Sequence, residues 1–157
     1  MAITIAVLLC IGAGTVGGVF FAFSTFVMTA LSARPCAHGI GAMQQINVTV
    51  LNPMFLGVFL GSALLSVVAV VVSVITWPSS GAPFLLAAGL LYFLGSFAVT
   101  IGFNVPRNER LAQLDADSTE ASEYWSTYVL EWTWWNHVRT VASIAAAACA
   151  AGALLAT

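Results

Sequence analysis

Four long apolar runs, about residues 3–31, 53–77, 83–104 and 133–156, constrain this chain more than any other feature. Each meets the roughly 20 residues that a helix needs to cross a hydrocarbon core. Lipid offers no partners to backbone amides, so a spanning segment must satisfy them internally, as a helix. Composition removes the alternative of a water-facing globule. Of 157 residues, 61 % are hydrophobic and only 6 % charged, where soluble domains carry about 25 % charged residues. The expected fold class is all-α: an integral membrane four-helix bundle, one four-span domain over 1–157 surrounded by membrane lipids. Nucleic acid is excluded as a partner, because four arginines and no lysine form no basic patch. The first run has no Lys or Arg ahead of it and continues to Leu31, past the ~7–15-residue apolar core of a secretory signal. It reads as a retained span.

The connections add detail. In the first, "SARPCAHGIGAMQQINVTVLN", a helix is expected over about 39–51, and Asn52-Pro53 reads as an N-cap followed by proline at the first helical position. The second, "PSSGAP", is a tight hairpin. The third is long and polar. Asn104-Val105-Pro106 reads there as the end of the third span, and 106–115 as a short interfacial helix with Leu111 and Leu114 on one side and Arg107, Arg110 and Asp115 on the other. With four alternating spans, Arg34, Arg107 and Arg110 share the face of connections one and three. The positive-inside rule makes that face cytoplasmic, in a bacterial plasma membrane, with both termini outside. Gly14, Gly18 and Ala22, and Gly57 with Gly61, form small-residue stripes expected to pack the bundle, with a homo-oligomer as the lesser alternative. Cys10 and Cys149 lie inside apolar runs, where a thiol acts as a small hydrophobe.

Polarity is one-sided. Asn47 and Asn52 before the second span, Asn104 and Asn108 at the end of the third, Ser24 in the far half of the first, and the start of the fourth all fall at one end of the bundle. On the fourth span Trp132, Trp135, Asn136, Arg139 and Ser143 follow i, i+3, i+4, i+7, i+11 spacing, one stripe that Trp125 and Tyr128 extend. His137 lies about 100° from Asn136 and off that stripe. Arg139 sits roughly 10 Å deeper than Trp132, where a charge should face the bundle and find partners. Singly, each residue has an ordinary explanation: tryptophans form interfacial belts, asparagines cap helices, and arginine can snorkel to headgroups. Jointly, asparagines, a histidine and an arginine converging on an aromatic-lined end point to a pocket. A metal is disfavoured by ligand poverty: His38, His137, Glu131 and Cys36 offer no paired spacing on one helix. No cofactor is expected.

These residues also carry a resemblance. "GGVFFAFSTFVMTAL", "AMQQINVTVLNPMF", "FNVPRNERL" and "YWSTYVLEWTWWNHVRTVAS" resemble the small four-span membrane family that includes the fungal anthrone oxygenases, from about Gly17 to Ser143. The most specific parts are "NVPRN" and "WNHVRT". The resemblance implies an oxygenase that converts the activated methylene of a tricyclic phenolic anthrone to a ketone, giving an anthraquinone, as in aromatic polyketide pathways. On that expectation His137 is the base, and Arg139 with Asn47, Asn104 and Asn136 holds the developing phenolate or enolate. Trp132, Trp135 and Phe23 stack on a flat apolar aromatic small molecule that arrives from the bilayer. Asn52, Asn108 and Ser24 complete the expected binding set. The competing reading is a non-enzymatic membrane subunit that binds a lipid, quinone or partner protein through the same mouth. A transporter is disfavoured by the lack of midplane breaks and inverted repeats.

Overall fold

Asn52 and Pro53 start a helix where local chemistry says they should. The Asn52 Oδ1 accepts from the Phe55 amide at 3.0 Å, its Nδ2 donates to the Thr49 carbonyl at 3.0 Å, and Pro53 takes the first helical position. One side chain thus closes one helix and opens the next. The computed structural model describes residues 1–156, in which every regular element is helical. Four helices are long and apolar enough to span a membrane: α1 (Ala2–Ser32), α3 (Pro53–Ile75), α4 (Ala82–Ala112) and α5 (Thr119–Leu155). The fifth, α2 (Cys36–Thr49), lies in the first connection. The chain is a multi-pass, all-α membrane bundle.

α1 lies along α5 for most of its length and also packs on α3; α3 meets α4 beside the hairpin, and α4 returns to α5. The Ser80 hydroxyl in the hairpin donates to the Ala156 carbonyl, so the hairpin and the C-terminus share one end. Two buried clusters fill the bundle. One, near the hairpin and midplane, is built on Leu9, Val16, Phe59, Tyr92 and Ala146. The other, at the arginine-bearing end, gathers Met28, Leu111, Trp125 and Tyr128 around Ile40 and Met43 of α2.

Three expectations need correction. The helix does not break at Asn104-Val105-Pro106: the expected short helix forms over Val105–Ala112 but continues α4 without interruption. Wide π turns at Leu91–Ala98 and Thr100–Asn104 precede Pro106. The proline ring follows a turn whose i→i+5 pattern is already opened, so its missing amide does not break the helix. The fourth helix begins at Thr119, not near 133, because Ser118 accepts from the Ala121 amide at 3.1 Å and caps it. Hydropathy locates a membrane crossing, whereas a polar helix end in water costs little. Finally, Gly18, Gly57 and Gly61 face open space. The close approaches use other glycines: a Cβ on Gly17 would stand 3.2 Å from the Ser143 Cβ, and one on Gly89 only 2.6 Å from the Ser66 carbonyl oxygen.

Candidate functional site

α5 is regular through its aromatic stretch, so residues at i, i+4, i+7 and i+11 turn one way. Trp132, Asn136, Arg139 and Ser143 are all buried, at 5 %, 0 %, 4 % and 0 % exposure. The guanidinium of Arg139 is held on three sides. Its Nη2 donates to Asn136 Oδ1 at 2.7 Å and its Nη1 to Thr100 Oγ1 at 3.2 Å. Its Cζ lies 4.1 Å from the Phe20 ring centroid and 5.1 Å from that of Trp132.

Asn136 is itself fixed by α1. Its Nδ2 donates to the Phe20 carbonyl and to Ser24 Oγ, both at 2.7 Å. Ser24 meets Thr140 Oγ1 at 3.0 Å, and Thr140 donates to the Asn136 carbonyl at 2.8 Å. Since the Thr140 hydroxyl spends its proton there, Ser24 is the donor in the pair, and the circuit has one consistent direction. Its only open side is that of the arginine. The π turn Phe23–Val27 occupies this level of α1, and Thr100–Asn104 the same level of α4.

In front of Arg139 lies a cavity of about 220 Å³. Its walls are aromatic and aliphatic, with Phe20, Phe23, Phe55 and Phe59 on one side and Met43 and Ile46 of α2 above. Asn47, Asn108 and Thr100 are its uncharged polar lining residues. The Asn108 Oδ1 accepts from the Tyr128 hydroxyl at 2.9 Å and from Trp132 Nε1 at 2.8 Å. Asn47 neighbours the Tyr128 hydroxyl, and its buried Nδ2 has no acceptor at hydrogen-bond distance.

The charge balance is unusual. Among the described residues the ion pair is Arg107–Glu131, at 2.8 Å on the periphery. Arg139 has no carboxylate, and its buried Nε bonds to nothing. A cation buried in an apolar medium is normally paired with an opposite charge. Here the unspent donor belongs to a residue that lines the cavity. No cluster of three His, Cys, Asp or Glu side chains occurs among the described residues.

The expected site residues separate into groups. Arg139, Trp132, Asn47, Asn108 and Phe23 line the cavity. Asn136 and Ser24 stand behind Arg139 and orient it. Asn104 is buried behind the wall, its Nδ2 donating to the Trp132 carbonyl at 3.1 Å while its Oδ1 is unpaired. Three residues lie elsewhere. Asn52 is exposed, with both polar atoms used in capping. Trp135 turns to the flank and stacks on Phe103 with centroids 3.6 Å apart. His137 is exposed and lines a separate groove with Thr29, Ser32 and Trp134, because its position on α5 points it away from Asn136 and Arg139. A base at His137 therefore does not reach this cavity. The residues not anticipated are Phe20, Phe55, Phe59 and Thr100. The phenylalanines are indistinguishable in sequence from ordinary span residues, while Thr100 is a hydroxyl inside an apolar run.

Comparison with known proteins yields no match to a curated protein or to a solved structure. The family profile described as "Anthrone oxygenase" matches residues 53–149. Those residues take in α3, α4 and the stretch of α5 that bears Trp132, Asn136 and Arg139, well over half of the chain. By that match the chain belongs to the anthrone oxygenase family.

Proposed function

We propose that the cavity binds a flat, apolar phenolic molecule as its anion and exposes it to O2, an oxidation of the anthrone-to-anthraquinone type. The observation that carries this reading is Arg139, buried without an acidic partner in the wall of an aromatic cavity. An opposite charge held close favours the ionised form of an acid, by about 1–3 pK units for a carboxylate beside arginine. The same charge lowers the cost of forming a phenolate or enolate, and low local dielectric strengthens it.

The reaction balances with O2 as the one co-reactant. The ring methylene loses a proton to give a delocalised enolate, and this carbanion passes one electron to O2. The resulting carbon radical and superoxide recombine into a C–O bond, and protonation gives a hydroperoxide. Loss of water from that carbon leaves the ketone, so that CH2 and O2 become C=O and H2O. The cavity lining contains no Asp, Glu, His or Cys; the proton given up by the methylene is the one returned to the peroxide, so the sequence closes without a protein acid or base. In this reading Arg139 provides charge, Asn47 and Asn108 provide hydrogen bonds to the ligand oxygens, and Phe23 and Trp132 stack on the rings. Connections one and three face the cytoplasm.

The absence of an acid–base side chain from the lining equally favours a second reading, a cavity that holds a phenol or quinone without turning it over. Oxygen consumption decides between them. Purified protein given anthrone should consume O2 in step with the rise of anthraquinone absorbance, and Arg139→Gln should lose about 10²–10³ in rate. Saturable binding with no oxygen uptake would leave the second reading.

A further inference from the structure

A cavity of about 220 Å³ is smaller than the ~300–1,000 Å³ of pockets that enclose a drug-sized ligand. A ligand has to reach it through an opening in the wall, and the exposure of the lining residues shows where that wall is open.

Toward water the way is shut. α2 lies across the end of the bundle, and its Ile40 and Met43, with Leu111 and Tyr128 of α4 and α5, are each 0 % exposed. Gln44 ties α2 down, its Nε2 donating at 2.9 Å to the carbonyls of both Leu111 and Leu114, the open C-terminal end of α4. Toward lipid the bundle is parted. α3 and α4 touch closely beside the hairpin, where Gly89 meets the Ser66 backbone. They diverge toward the other end, and the last turns of α4 pack on α5. Leu51, Leu60 and Ile101 line the cavity on this side and are nevertheless 65 %, 49 % and 52 % exposed. Residues that face both a cavity and the surroundings form a mouth, and at this depth the surroundings are acyl chains.

We infer that the cavity is reached from within the bilayer, through a slot between α3 and α4 framed by Leu51, Leu60 and Ile101. The inference rests on the reading that this cavity is the substrate site, and it narrows the substrate class. The ligand is a planar aromatic that partitions into membrane, with its acidic oxygen leading toward Arg139 and its apolar rings trailing in the slot. Leu60 and Ile101 set the rate of passage, while Arg139 sets the affinity.

The test separates rate from affinity. Protein in liposomes is mixed with liposomes loaded with 2-hydroxyanthraquinone, and quenching of tryptophan fluorescence is followed by stopped flow. The double variant Leu60→Phe with Ile101→Phe should slow association and dissociation alike, by about tenfold, where a change in affinity alone would slow or speed only one of them. Leu60→Ala with Ile101→Ala, a change on a lipid-facing surface, should speed both. Gln44→Leu, which loosens α2, should change neither rate. Unchanged kinetics in both double variants, or acceleration by Gln44→Leu, would overturn the slot while leaving the site in place. No quenching of the parent protein would overturn both.

Discussion

Replacing Arg139 by leucine should cost the protein only a few kcal/mol of stability and remove its affinity for an acidic phenol. The balance follows from what the guanidinium touches. The change loses the 2.7 Å bond to Asn136 and the 3.2 Å bond to Thr100, each a hydrogen bond to a charged group worth about 1.5–3 kcal/mol. The contacts over Phe20 and Trp132 at 4.1 and 5.1 Å add about 1–2 kcal/mol together. On the other side, arginine at the centre of a span costs about 2.5–3.5 kcal/mol, whereas leucine gains roughly 0.3–0.6 kcal/mol. On balance the change destabilises by about 2–3 kcal/mol. Binding has no such offset. Truncating one member of a buried charge pair costs about 2–5 kcal/mol, or roughly 30-fold to several thousand-fold in Kd. Two measurements suffice: thermal unfolding of parent and variant, and equilibrium quenching by 2-hydroxyanthraquinone beside its methyl ether. The parent should prefer the hydroxyl compound strongly and the variant should not distinguish the two. If Arg139→Leu held the hydroxyl compound as tightly as the parent, the anion-binding argument would fail.

Two further outcomes follow from the same geometry. His137→Ala should alter oxygen consumption with anthrone by no more than about twofold, the range of an exposed substitution away from such features, since its ring lies outside the cavity. A large loss in that assay would return the base to His137. Asn108→Leu should lower the melting temperature clearly, because it strips the acceptor from both Tyr128 OH and Trp132 Nε1, at about 1–3 kcal/mol for each donor left unsatisfied. Asn108→Asp, which keeps an acceptor, should recover most of that loss.

The legible and illegible parts of this fold differ in what governs them. Four spans could be read because a 20-residue apolar run has no other use, and Asn52-Pro53 because capping is decided within three residues. The inward stripe of Trp132, Asn136, Arg139 and Ser143 was readable because α5 keeps a regular period there; Trp135, at the margin of the stripe, went instead to Phe103. The start of α5 was missed because polar and apolar helix look different to hydropathy and alike to the backbone. Grouping polar residues by depth put Asn52 and His137 with the site, since depth alone does not distinguish the inside of a bundle from its rim.

α4 contains a signal that a fixed 3.6-residue period hides. Tyr92, Ser96, Thr100, Asn104 and Asn108 recur every fourth residue. In a regular α-helix each step of four overshoots a turn by about 40°, so Asn108 would stand roughly 160° from Tyr92. Yet Tyr92, Ser96 and Asn104 are buried at 0 %, 0 % and 1 % exposure, and Thr100 and Asn108 line the cavity. The π turns at Leu91–Ala98 and Thr100–Asn104 absorb the difference. Gly12, Val16, Phe20, Ser24 and Met28 repeat the pattern on α1 across its own π turn. In α4 the wide turns thus keep five positions at a period of four on one side of the helix. The physical account makes a test. Gly102 faces open space, and deleting it lets that turn relax to a regular α form. Thr100 and the former Asn108 then lie seven residues apart, about 20° short of two full turns, and still share a face. Deleting Gly61 from the regular helix α3, also in open space, rotates everything beyond it by about 100° with no wide turn to relax. The first deletion should keep cooperative thermal unfolding and quenching by 2-hydroxyanthraquinone, and the second should lose both. Equal damage from the two would mean that the wide turns do not set the phase of the inward face.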